Sequence, residues 1–181
     1  YSSWSGPGTN RTFLALANVG LFYDPSKPPL VPDVLVSLDV LMPNNVWQKP
    51  NRSYFVKRYG KAPEVVIEIV SNKKGEETGT KLKDYAQAGV RYYVILDPKE
   101  QLSQGKLCIY ELQNNRYVKT DALWLSKVQL GLTLWEGQYE DKSEVWIRWC
   151  DKKGNLIATG KEKAEKLAAK LRELGIDPET L

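Results

Sequence analysis

The chain has 181 residues, 42% of them hydrophobic and including six Trp and ten Tyr. This suffices for one well-buried domain, excludes global disorder, and offers no apolar run near the ~18–20 residues of a membrane span. The net charge of +4 permits nucleic-acid binding without requiring it, and the sequence has no histidine. Ser-His-Asp and Cys-His nucleophiles and His-ligated zinc sites are thereby removed together. Catalysis must rest on carboxylates, Lys, Tyr, Ser or a metal held by oxygen ligands.

Cys108 and Cys150 lie far apart without metal-ligand spacing, so a reduced, cytoplasmic protein is expected. Tyr1 to Gly8 has neither a basic n-region nor an apolar h-region and does not read as a signal peptide. The chain lacks an initiator Met, so further residues are expected upstream.

Residues 1–11 are rich in Ser and Gly and read as an irregular lead-in. Phe13 to Tyr23 is apolar and predicts a single strand with Gly20 inside it. Consecutive prolines make Asp24 to Pro29 a loop, and Leu30 to Leu38 predicts a second strand entered through Pro32-Asp33. An Asp after Pro is ordinarily a turn residue or a cap, so Asp33 needs a partner carboxylate before it suggests chemistry.

Met42 to Arg58 reads as a loop. Lys49, Arg52, Lys57, Arg58 and Lys61 are interleaved with Trp47, Tyr54, Phe55 and Tyr59, a pattern suited to a phosphate backbone but shared by many solvated loops.

Pro63 to Ser71, PEVVIEIVS, predicts a buried strand with β-branched residues on both faces. Alternation puts Glu64, Val66, Glu68 and Val70 on one face. Glu68 is the anomaly, because a carboxylate in an aliphatic run is costly to desolvate unless a cation, a metal or good donors meet it. The ordinary reading has Glu64 solvated and Glu68 salt-bridged. The sharper one makes Glu68 a metal ligand.

Asn72 to Glu77 is polar, and Thr78 to Ala88 predicts a helix stopped by Gly89 in a left-handed cap, with Leu82, Tyr85 and Ala86 as its buried stripe. Lys81 borders that stripe in the first turn, where it opposes the helix dipole. Val90 to Leu96 is another strand, so strand, helix and strand form a crossover with parallel pairing. Leu107 to Leu112 and Tyr117 to Thr120 flank Asn114-Asn115 as a hairpin, and Trp124 to Trp135 and Val145 to Trp149 predict short strands or sheet-edge segments.

From Thr159 the composition becomes that of an amphipathic helix ending at Gly175, its stripe formed by Ala164, Leu167, Ala168, Leu171 and Leu174. The stripe is expected to dock on the domain or on a second subunit, so a homodimer is one expectation. The organisation that follows is a domain over residues 1–158 and a helical tail over 159–181.

Asp33, Glu68 and Lys81 belong together chemically. Two carboxylates on neighbouring strands can hold a hard divalent cation, and an adjacent lysine can orient water or offset transition-state charge. On Pro32 to Val36, Pro63 to Ser71 and Lys81 to Pro98, the sequence resembles the Uma2 (Uma-two) family of the PD-(D/E)XK, or restriction-endonuclease-like, superfamily. The resemblance extends to Leu174-Gly175-Ile176-Asp177-Pro178. It implies an α/β (α+β) fold, a mixed sheet flanked by helices, and an endonuclease cutting DNA with Mg²⁺ or Mn²⁺. By position it implies Asp33 and Glu68 as metal ligands and Lys81 as the catalytic lysine. The superfamily's usual lysine position is occupied here by Val70, as in relatives whose lysine has moved to the following helix. Glu77 matches an accessory acidic position, and a carboxylate used by many of these nucleases is expected upstream of Tyr1. The alternative is a nuclease-fold protein without catalysis, binding nucleic acid or protein. A purely structural dimer built through the tail would leave Glu68 unexplained.

Overall fold

The computed structural model describes residues 11–71 and 77–180. The lead-in over residues 1–10 and the polar stretch 72–76 lie outside the described residues. Six strands form the main sheet: β1 (Phe13–Ala17), β3 (Val34–Leu38), β5 (Val65–Ile69), β6 (Tyr92–Leu96), β7 (Leu107–Gln113) and β8 (Arg116–Thr120), in the order β1-β3-β5-β6-β7-β8. The β5–β6 pair is parallel and its neighbours are antiparallel. Between β5 and β6 runs α2 (Thr80–Ala88), which supplies the crossover that parallel pairing requires. It ends as its sequence predicts, with Gly89 at φ 81° and Val90 N–H returning to Tyr85 O.

The region 13–23 is not one strand. Asn18 adopts φ 53° and breaks it, and β2 (Leu21–Phe22) pairs in parallel with β4 (Tyr54–Phe55) instead. The stretch expected as a loop contains a 3-10 turn over Lys49–Arg52, then β4 and α1 (Val56–Tyr59). The β7–β8 turn is as expected, with both Asn114 and Asn115 at positive φ.

The residues expected to make short segments after Trp124 build a second sheet. It comprises β9 (Trp124–Leu125), β10 (Leu130–Tyr139) and β11 (Lys142–Cys150), and β10 and β11 pair along nine positions. The turn is Glu140-Asp141, and Glu140 takes φ 52° without the Asn or Gly that announces such a turn.

The main sheet lies between two apolar layers, so its inner strands are buried on both faces. Val36, Val65, Ile67 and Val94 pack against Leu125, Leu130 and Leu132 of the second sheet and Val128 of its β9–β10 turn. On the other face Leu35, Val66, Val70 and Ile95 pack with Tyr85 and Ala88 of α2. Each such aliphatic side chain contributes about 1.5–3 kcal/mol on burial. Glu68 occupies this second face, between Val66 and Val70.

The tail helix α3 (Gly160–Glu173) starts in a capping box between Thr159 and Glu162, and Arg148 of β11 holds Glu162 at 2.8 Å. The apolar stripe does not dock on the domain: Leu167 and Leu174 are each 67% exposed. The stripe has only five members among strongly charged neighbours, and the Arg148–Glu162 contact orients the helix instead.

Candidate active site

The site is built from β3, β5 and α2. In the antiparallel β3–β5 ladder Val34 pairs with Ile67, so one further step places Asp33 opposite Glu68. Opposed residues of a ladder share a face, which aims both carboxylates toward α2. Asp33 is also the cap that its Pro-Asp context predicts, because Oδ2 accepts the Ile69 N–H at 2.6 Å. That bond pins one oxygen at the end of β5 and leaves Oδ1 for another partner.

Glu68 is 2% exposed, and both its oxygens are engaged. Lys81 Nζ donates to Oε2 at 2.8 Å, and Tyr85 OH donates to Oε1 at 2.5 Å. Lys81 and Tyr85 stand one turn apart on α2 and therefore reach the same side of the sheet. Burial pushes the Glu68 carboxyl above its ordinary range, and the nearby Asp33 charge adds to this, against the opposing pull of Lys81 and Tyr85. Desolvation alone would pull the Lys81 ammonium down, but Glu68 and then Glu77 outweigh it, and its pKa is raised. These two carboxylates explain a cation in the first turn of a helix. Tyr85 is pushed far up by burial beside the Glu68 charge and donates its proton rather than losing it.

Glu77 is buried just ahead of α2, with Oε1 3.3 Å from Lys81 Nζ and its carbonyl accepting Tyr93 OH at 2.8 Å. Its Oε2 is buried with no hydrogen-bond partner among the described residues. Asp33, Glu68, Lys81 and Glu77 thus converge at the carboxyl end of β5 and the start of α2. Tyr85 and Tyr93, whose rings stack at 5.0 Å, are contacts that sequence reasoning missed. The spacing of four between Lys81 and Tyr85 carried the signal for Tyr85. It was legible only as core, because a buried Tyr ring and a Tyr hydroxyl at a site have the same periodicity.

Glu64, the other carboxylate on this face of the strand, is not simply solvated. It accepts the Leu38 N–H at 2.8 Å and pairs with Lys61, which also donates to Leu38 O. Lys61 therefore serves the sheet end and does not belong with the exposed cations around Trp47.

The acidic groups at the site are carboxylates, the ligand type a hard divalent cation takes, and Glu77 Oε2 is buried with no hydrogen-bond partner among the described residues. No cluster of three or more His, Cys, Asp or Glu side chains is poised to hold a metal among the described residues. Asp33 and Glu68 are the carboxylates that could hold such an ion, with water and substrate oxygens completing its shell.

A mixed sheet with paired carboxylates at the end of its central strand, and a lysine presented by the crossover helix, defines a restriction-endonuclease-like protein. Residues 2–138 match the Uma2 family, described as "Putative restriction endonuclease", and the chain belongs to that family. Members of restriction-endonuclease-like families usually use divalent metals. No curated protein compared with the chain matches it. Among the described residues no helix is long and apolar enough to cross a membrane.

Proposed function

We propose that the chain is a Mg²⁺-dependent endonuclease that hydrolyses DNA phosphodiester bonds, with Asp33 and Glu68 as metal ligands and Lys81 as the catalytic cation. The observation that carries this reading is the Lys81 ammonium 2.8 Å from a buried carboxylate opposite Asp33. A cation at the surface end of a buried charge pair is placed to donate to a phosphate oxygen and offset charge growing on phosphorus. Asp33, held by the Ile69 N–H, and Glu68, held by Tyr85, present carboxylates whose rotamers are fixed before substrate arrives. A bound Mg²⁺ would supply Lewis acidity toward the phosphate and lower the pKa of a ligated water. Glu77 stands as an accessory group that shares the lysine.

The test is cleavage of supercoiled, linear and single-stranded DNA with Mg²⁺ or Mn²⁺, comparing wild type with Glu68→Gln. Metal-dependent cleavage lost in the variant supports the assignment. The second reading, a nuclease-fold binding module without catalysis, draws on Val70 standing at the superfamily's usual lysine position. Folded wild type that binds DNA but cuts no form would establish it.

A further inference from the structure

The segment joining β3 to β5 is charged unlike the rest of the chain. Residues 40–63 contain five of the 26 basic residues and none of the 22 acidic ones, so the remainder of the chain is close to neutral. Lys61 is committed to Glu64 and Leu38 O, and Arg58 donates to the Asn51 side chain. Lys49, Arg52 and Lys57 are exposed. Beside them Trp47 is 81% exposed, with the Arg52 guanidinium over its ring at 6.0 Å and Arg52 Nη2 donating to Trp47 O at 3.1 Å. Leu41, Met42 and Val46 are exposed in the same stretch. The guanidinium stands at the outer edge of cation–π range from the indole, and the ring is left open to water.

We propose that residues 41–58 form a DNA-docking surface, in which Trp47 stacks on an unpaired base while Lys49, Arg52 and Lys57 neutralise phosphates. An exposed indole backed by a cation is a sequence-tolerant stacking platform, and a segment with no acidic residue does not repel the strand that reaches it. The surface also has a fixed relation to the carboxylates. It leaves β3 at the end away from Asp33, and β4 near its other end returns to pair with β2. The choice of DNA as occupant rests on the nuclease reading; the surface itself rests on charge and exposure.

Binding of fluorescein-labelled oligonucleotides by the full chain, measured by anisotropy in EDTA, tests this apart from cleavage. Lys49→Gln with Lys57→Gln is expected to weaken binding to all sequences and to flatten the plot of log K against log salt by about 1.4 for single strands. Trp47→Ala is expected to weaken single-strand binding on the order of tenfold and blunt duplex binding much less, with Trp47→Phe restoring most of the loss. All three side chains are exposed, so unchanged melting temperatures are expected and certify folding. An unaltered salt slope in the lysine variant, equal loss for single strands and duplex in Trp47→Ala, or no DNA binding by wild type would each overturn the proposal. Wild type that binds through this surface but never cuts leaves the proposal standing and removes the nuclease reading alone.

Discussion

Lys81 Nζ lies 2.8 Å from Glu68 Oε2, a contact between the first turn of α2 and the middle of a sheet that both sequence signals single out separately. Each group is unfavourable where it stands. Glu68 is a charge among aliphatic neighbours, and Lys81 opposes the dipole of its own helix. Together each supplies what the other lacks, and the same pairing leaves a cation at the edge of a carboxylate site.

Lys81→Met is expected to abolish metal-dependent cleavage by orders of magnitude while the domain stays folded, since the stem still packs. Lys83→Met, exposed two positions on, is the control and is expected to be nearly silent. Stability in Lys81→Met should fall by about 1–2 kcal/mol, less than for a fully buried pair because Lys81 is partly solvated. Equal nuclease rates in the two variants would remove Lys81 from the site.

How much of this was legible follows from which signals are local. The β5 strand, the α2 helix with its Gly89 cap and the Asn114-Asn115 hairpin each carry their own punctuation, and all three form as the residues predict. The β10–β11 hairpin turns on Glu140-Asp141, whose positive φ at Glu140 is held by nine cross-strand pairs rather than by turn chemistry. No local reading finds it. At the site, the opposition of Asp33 and Glu68 needed the ladder register, and Tyr85 was readable as core but not as a donor.

Asp33 does two things that two substitutions separate. Asn keeps an oxygen to accept the Ile69 N–H but removes the charge, so Asp33→Asn is expected to lose cleavage with little change in melting temperature. Asp33→Ala also orphans that N–H and should cost about 1 kcal/mol more. If Asn retains full activity, Asp33 is only a cap.

Tyr85→Phe keeps the ring stacked against Tyr93 and removes only the hydrogen bond to Glu68 Oε1. A buried carboxylate oxygen losing its donor should cost about 1–3 kcal/mol of stability. Weaker Mn²⁺ binding, followed by calorimetry at fixed pH, is the readout that a merely structural role would not move. Unchanged Mn²⁺ affinity assigns Tyr85 to packing alone.

Glu162 tests how α3 is tied to the second sheet. Arg148 grips the Glu162 carboxylate at 2.8 and 3.1 Å, and Thr159 N–H donates to the same carboxylate at 2.7 Å. The Arg148 guanidinium, with the Thr159 amide, depresses the carboxyl from 4.5 to about 2. A depressed folded pKa contributes stability above the unfolded value of 4.5, lost as pH falls through about 2. Because the group is partly solvated, the contribution is about 1 kcal/mol rather than the full shift. Glu162→Gln should therefore lower amide-exchange protection across α3 about fivefold at pH 6, and the difference from wild type should close as both approach pH 2. Exchange compared at matched pH removes the intrinsic chemistry of the amides. A protection difference that stays constant from pH 6 to pH 2.5 would show that the helix is held by something other than this charge.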